Sequence, residues 1–302
     1  MDTTPDPTTP HDVVIVGGSV AGLSAALVLG RARLRVAVVD AGHPVNEGVA
    51  HSHGFLTNDG APPADLVARG RAEVAAYGVD LVDDAVTGVR RADDGTFVVA
   101  RAGGPDLVGR RLVLATGMRI PLPELPGLDE VWGGDAASCP FCHGWEARDR
   151  PIGVLGDPAG VAHLAGLLTQ WSDDVVAFLP DGAEGAPPGV VVDHREPTRV
   201  VVEDGHVRGV EVAGGDVVAR EALFVGAWPG PASSLAADLG CEVNDGGFPV
   251  TTDEGLTSVP GLWAVGNAVT MARGLVESAA SGSVAARMVV VDLVQERLAT
   301  PA

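Results

Sequence analysis

The chain has 302 residues, 46% hydrophobic and 20% charged, the make-up of a globular protein long enough for two cores. Its net charge is −20 and all 20 basic residues are arginines, which argues against a nucleic-acid partner. No run of about 18 apolar residues is present to span a membrane, and three cysteines make no disulfide framework, so the composition points to a cytoplasmic protein.

Residues 1–10 are polar and rich in Pro and Thr, and read as a frayed tail without the features of a signal peptide. Asp12–Val16 reads as a buried strand of β-branched residues, Gly17–Gly22 as a turn and Leu23–Arg31 as a helix. Arg35–Val39 is the next strand and ends at Asp40. Pro63–Tyr77 has the spacing of an amphipathic helix. Leu81–Val89 and Thr96–Arg101 read as strands joined through Asp94-Gly95, a hairpin signal. Leu112–Ala115 is a further strand, running into Thr116-Gly117. Pro121, Pro123 and Pro126 then mark a linker.

The plan then repeats. Pro151–Leu155 reads as a strand, Gly156–Gly160 as a turn, Val161–Gln170 as a helix and Asp174–Leu179 as a strand. Two hairpin strands meet at Asp204-Gly205, and Ala222–Val225 leads into Gly226. Leu262–Val265 is the last strand, and Val276–Arg297 the last helix. The fold class is therefore α/β, with two Rossmann-like three-layer domains.

The first turn, Gly17-x-Ser19-x-x-Gly22, differs from the dinucleotide fingerprint at its second glycine, where serine is the smallest polar substitute. The strand before it, the helix after it and Asp40 about 20 residues on are all in place for a dinucleotide, with the helix N-terminus facing the phosphates. The second turn is damaged. In Gly156-Asp157-Pro158-Ala159-Gly160-Val161, Pro158 replaces the second glycine and lacks an N–H, and Val161 takes the third small position. No Arg or Lys lies between Pro151 and His194, and Pro180-Asp181-Gly182-Ala183-Glu184 is acidic where a 2′-phosphate would need cations. NAD(P)H is therefore not expected as a cofactor.

Between the two repeats lies Cys139-Pro140-Phe141-Cys142-His143-Gly144-Trp145-Glu146. The spacing suits a disulfide that opens and closes within one helical turn. Pro140 falls where a helix start tolerates it, and a helix N-terminus lowers a thiol's pKa. His143 can carry a proton near neutral pH, and Glu146 can tune it. Zinc needs four ligands. There is no second CxxC, and Cys241, His51 and His53 make a poor set, so no metal is expected. Cys241, His163, Trp132 and Trp145 read most simply as packing residues.

Along its folded length the chain resembles the low-molecular-weight thioredoxin-reductase-like flavoproteins. The matching residues are Val14-Ile15-Val16-Gly17-Gly18, Val39-Asp40, Ala115-Thr116-Gly117, Cys139-x-x-Cys142 and Thr257-Ser258-Val259-Pro260-Gly261. The resemblance implies FAD in a domain made of residues 11–117 and 243–302, with residues 118–242 inserted and carrying the cysteines. It places Gly17, Gly18, Ser19, Ala21, Gly22, Asp40, Ala41, Ala115, Thr116, Gly117 and Gly266 on the dinucleotide. It places Asn46, His51, His53, Val86, Gly274 and Leu275 around the flavin or adenine. Asn267 stands where the family carries an aspartate. The resemblance also implies a homodimer, with Cys142 facing the flavin and Cys139 exchanging with the substrate. His143 stands where the reductases carry an acidic residue.

The sequence Cys-Pro-Phe-Cys-His-Gly-Trp-Glu is similar to the natural-product dithiol oxidases of the gliotoxin and holomycin type. That branch implies a small-molecule dithiol as substrate and O₂ as oxidant. Two alternatives stay open: a reductase fed by NAD(P)H or ferredoxin, and a flavin-bound redox sensor without turnover.

Overall fold

A computed structural model describes residues 10–183 and 187–299. The tail, apart from Pro10, and Glu184 of the acidic stretch lie outside the described residues. The chain divides into two compact units, one of residues 1–45, 64–119 and 230–302, the other of residues 46–63 and 120–229.

The first unit is built on a seven-stranded sheet. Its hydrogen-bonded order is Asp80–Asp83, Val36–Asp40, His11–Val16, Leu107–Leu114, Phe97–Arg101 and Val86–Arg91, with Leu262–Ala264 also paired to Leu107–Leu114. The strands at its centre are continuous apolar runs because both faces are covered. Val13, Val14 and Ile15 are fully buried, with odd and even positions entering separate cores. On one face lie the helices Val20–Arg31 and Leu275–Ala299. They approach so closely that a Cβ on Gly282 would overlap the carbonyl of Ala21.

Several boundaries differ from the sequence reading. Leu81–Val89 is two strands, Asp80–Asp83 and Val86–Arg91. The break is Asp84, whose carboxylate accepts from the N–H groups of Ala85 (2.8 Å) and Gly103 (3.0 Å) and pairs with Arg101 (3.3 Å). The first half continues the parallel ladder with Val36–Asp40, and the second turns into the antiparallel hairpin with Phe97–Arg101. The strand expected at Leu112–Ala115 begins at Leu107, because its first half pairs antiparallel with Phe97–Val99. The first helix starts at Val20 rather than Leu23.

The second unit has a parallel five-stranded sheet in the order Val191–Asp193, Val175–Phe178, Ile152–Gly156, Ala222–Gly226 and Ala136–Ala137. The helix Pro158–Leu168 packs on it through Val161, Leu164, Ala165 and Leu168. An antiparallel sheet of Pro197–Glu203, His206–Val212 and Val217–Ala219 covers the other face.

Two domain boundaries also shift. The return to the first unit falls at Gly230 rather than 243, because Gly230–Pro231 pairs with Met118–Arg119. Residues 46–63 leave the first unit and belong to the second. Among the described residues no helix is long and apolar enough to cross a membrane.

Candidate active site

In the second unit Cys139 and Cys142 form a disulfide, with their Cα atoms 5.3 Å apart. Cys139 caps the single-turn helix Pro140–His143, and Pro140 occupies a first-turn position where no N–H is needed. The carbonyl of Cys139 accepts from the N–H groups of both Cys142 and His143, at 3.2 Å each. One turn is too short for a large helix dipole, so the expected help to a thiolate shrinks to these local backbone dipoles. Gly144 lets the chain pass against Trp171, whose ring a Cβ would meet at 2.8 Å. Phe141 packs edge-on against that same ring at 5.8 Å. Phe141 and Trp145 remain 74% and 66% exposed, so Trp145 is not the core residue it reads as in the sequence. Arg148 lies over its ring, 4.0 Å from the centroid.

His143 follows directly, and its Nδ1 and Nε2 are both buried without a hydrogen-bond partner. Leaving buried polar atoms unpaired costs about 1–3 kcal/mol each. Burial pushes its pKa below the ordinary 6.5, Glu146 opposes that shift, and the nearby His53 adds to it. The imidazole is thus neutral, and a proton acceptor, at pH 7.

His53 comes from the 46–63 excursion. Its Nε2 lies 3.4 Å from Glu146 Oε1 and its Nδ1 3.5 Å from Asp59 Oδ2. The loop is closed on itself by Ser52 N–H to Ala61 O (3.0 Å), Gly60 N–H to Ser52 O (2.8 Å) and His51 Nδ1 to Gly60 O (3.0 Å). Asn46, His51 and His53, expected around a flavin, therefore share a unit with the disulfide. Among the described residues no group of three or more His, Cys, Asp or Glu could hold a metal ion.

The remaining expected cofactor residues lie in the first unit. Gly17 turns at φ 107°, backed against the carbonyl of Ala115, and Ala115 donates its N–H to Val16 O at 2.8 Å. The first helix begins at Val20 with Ser19 as cap; the Ser19 side chain makes no cap hydrogen bond and the first turn holds no acidic residue. A Cβ on Gly18 would meet the Asp40 side chain at 2.8–2.9 Å, so Asp40 flanks the turn, and Ala41 follows it on the surface.

Gly266 adjoins Ala21 and donates to Ser281 Oγ at 2.9 Å. Asn267 donates through Nδ2 to Thr270 O (3.0 Å) and Arg273 O (2.9 Å), while the carbonyl of Gly274 accepts from Ser278 N at the start of the helix that Leu275 opens. Beside Gly266 the hydroxyl of Ser278 is buried and unpaired. Val86 packs in the core of the opposite sheet face, and Thr116 and Gly117 follow the strand end. Open helix donors, a close glycine turn, a flanking carboxylate and an unpaired hydroxyl fit a dinucleotide such as FAD.

The corresponding helix of the second unit is closed. It begins at Pro158, three residues before the Val161 expected from the sequence, because Asp157 is its cap. Asp157 Oδ1 accepts from Ala159 N–H (3.1 Å), Gly160 N–H (3.2 Å) and Trp228 Nε1 (3.1 Å). Pro158 has no N–H to offer. The donors a pyrophosphate would use are therefore taken by a carboxylate of the chain itself. The Asp-Pro pair is a cap signal visible in the sequence, whereas the role of Trp228 needed the fold.

One α/β unit with an open dinucleotide cradle and a second carrying a CxxC disulfide define a two-domain disulfide oxidoreductase. The chain belongs to the pyridine nucleotide-disulphide oxidoreductase family, which it matches over residues 11–176 and 183–286.

Membership implies a bound flavin. Thioredoxin reductase aclD of Aspergillus oryzae is 32% identical, over 93% of this chain and 96% of its own. A probable thioredoxin reductase of Arthroderma benhamiae is 34% identical over 56% of this chain, and the match spans 43% of that protein's length. The crystal structure of HlmI superposes with a TM-score of 0.92 at 46% identity, covering 96% of this chain and 94% of that one. The fold is thus thioredoxin-reductase-like.

Proposed function

We propose that this protein oxidises a small-molecule dithiol to a disulfide, with FAD as cofactor and O₂ as final oxidant. The observation that carries the reading is Asp157, which fills the helix N-terminus where a reducing pyridine nucleotide would bind. Electrons then enter by the other door, the Cys139–Cys142 disulfide. The Gly17–Gly22 turn, Asp40 and the Gly266–Leu275 segment would hold FAD, which would supply a two-electron acceptor for the cysteine pair, with O₂ as the terminal oxidant.

The chain's own residues handle sulfur and protons. His143, neutral and beside Cys142, takes the proton of the first substrate thiol. The thiolate attacks Cys139 Sγ, the Cys139–Cys142 bond breaks, and Cys142 leaves as a thiolate. The second substrate thiol gives its proton to the departing Cys139 as its sulfur attacks the mixed disulfide. The cyclic disulfide product leaves, and Cys139 is a thiol.

The names of the relatives favour a second reading, a reductase that draws electrons from NAD(P)H. Anaerobic stopped-flow of the flavin against dithiothreitol, NADPH and NADH separates the two. Bleaching by dithiothreitol alone, lost in Cys142→Ser, with peroxide formed once O₂ is admitted, is expected. Rapid bleaching by either nicotinamide would overturn the proposal in favour of the reductase.

A further inference from the structure

Two large aromatic rings stand in water beside the disulfide. Phe141 lies between the two cysteines in the chain and is 74% exposed, and Trp145, just past Cys142, is 66% exposed. Gly144 keeps helical angles after the Pro140–His143 turn, so the two aromatics, four residues apart, stand on one side of it. A single exposed aromatic is ordinary on a protein surface. Here neither ring hangs free. Phe141 meets the ring of Trp171 edge-on at 5.8 Å, and Trp171 lies so close to Gly144 that a Cβ there would meet its ring at 2.8 Å. Trp145 carries the Arg148 guanidinium 4.0 Å from its ring centroid, and the same guanidinium donates to the Trp145 carbonyl. Both rings are therefore braced from behind and open in front. Rings already held in place lose little entropy when a ligand covers them, which favours a platform for a flat apolar group.

The reacting bond is within reach of that platform. Cys139 and Cys142 are half-buried, and the turn that joins them to Phe141 rises only about 6 Å. The nearby free charge is negative, from Glu146 and Asp59, because Arg148 is turned onto Trp145. An anionic ligand would be repelled there, and an uncharged ring would not.

We propose that Phe141 and Trp145 are specificity-determining residues that select uncharged dithiols carrying a flat aromatic ring, a choice of substrate that rests on the dithiol-oxidase reading. The ring stacks on Trp145 and packs against Phe141 while the thiolate attacks Cys139 Sγ. The exchange balances: the two substrate sulfurs join in one S–S bond, the Cys139–Cys142 bond breaks, and two electrons and two protons pass from the dithiol to the protein.

The test compares ortho-xylylene dithiol, tetramethylene dithiol and dithiothreitol, which close cyclic disulfides of the same ring size. Each is mixed anaerobically with the FAD-loaded protein, and the cyclic disulfide formed is measured. Each rate is divided by that dithiol's rate with oxidised glutathione, which removes its intrinsic reactivity. In the wild type the normalised rate of ortho-xylylene dithiol is expected to exceed that of tetramethylene dithiol by about 10-fold, the scale of an aromatic stacking contact. Trp145→Leu, apolar without an aromatic face, should bring that ratio close to one, Phe141→Leu should lower it by less, and Trp145→Phe should keep most of it. Phthalyl alcohol, the same ring with hydroxyls in place of thiols, should compete with tetramethylene dithiol, while tetramethylene glycol should not.

Equal normalised rates in the wild type, a ratio that both leucine variants keep, or a phthalyl alcohol that does not compete would each overturn the platform. The dithiol-oxidase reading would still stand in those cases, because the wild type still reacts. A wild-type disulfide that none of the three dithiols reduces would remove that reading and the platform with it.

Discussion

Asn267 does with an amide what a carboxylate in its place cannot. Its Nδ2 donates to the carbonyls of Thr270 and Arg273, closing the turn between Gly266 and the last helix. Both partners are acceptors, so Asn267→Asp would replace two hydrogen bonds by lone pairs facing lone pairs. With about 1–3 kcal/mol at stake for the stranded groups, the variant is expected to melt several degrees lower and to release FAD at a lower temperature. Flavin fluorescence during a thermal scan reads both, and unchanged curves would show that the turn does not depend on the amide. His143 gives a second expectation, through pH. Its pKa is lowered in the folded protein, chiefly by burial. Below pH 6.5, its ordinary value, the unfolded chain therefore binds a proton here that the folded chain refuses. The stability from this group is complete above that pH and is lost as pH falls toward the folded value. Urea midpoints of the oxidised protein should fall more steeply on acidification than those of His143→Gln. Parallel curves would mean that the imidazole is as easily protonated folded as unfolded.

At the scale of elements, the helix Pro158–Leu168 shows how a dinucleotide turn becomes a closed structural cap. Asp157→Ala removes the acceptor for two N–H groups and for Trp228, and the loss of such a cap costs about 1 kcal/mol. Urea unfolding should show that loss, while Asp157→Asn, which keeps an acceptor oxygen, stays near wild type. Neither variant should let NADPH bleach the flavin, because Pro158 still lacks its N–H; bleaching by NADPH in Asp157→Ala would identify the carboxylate as the whole barrier.

The same helix marks the reach of the sequence. The β-branched runs His11–Val16, Val36–Asp40 and Ile152–Gly156 are legible because a buried parallel strand must be apolar on both faces. The CxxC is legible because its chemistry lives in its spacing. Two things were not. The split at Asp84 depends on Gly103 and Arg101, distant partners whose approach no local pattern announces. The 46–63 loop carries no regular period, so only the fold shows that it leaves one unit to bring His53 to Glu146 in the other.

Across the whole molecule the dominant physical fact is charge: −20 in 302 residues, with no lysine. The basic residues are largely engaged, as Arg110 and Arg111 are with Asp12, Asp292 and Glu296, and Arg220 with Asp174. What remains is a negative field that any anionic reactant must climb. Around the disulfide, Glu146 and Asp59 add to it, while the exposed Phe141 and Trp145 offer an apolar contact that is indifferent to it. A neutral dithiol and an anionic one should therefore respond differently to salt. Between about 0.01 M and about 0.15 M salt the screening length falls from about 30 Å to about 8 Å. Over that range, anaerobic reduction of the Cys139–Cys142 disulfide by dimercaptosuccinate, which carries two carboxylates, is expected to accelerate several-fold. Reduction by uncharged dithiothreitol should stay flat. If both rates respond alike, the field at the disulfide is locally neutral and the net charge serves solubility alone. If only the anion accelerates, the charge of the whole chain acts as a filter for uncharged dithiols at the site.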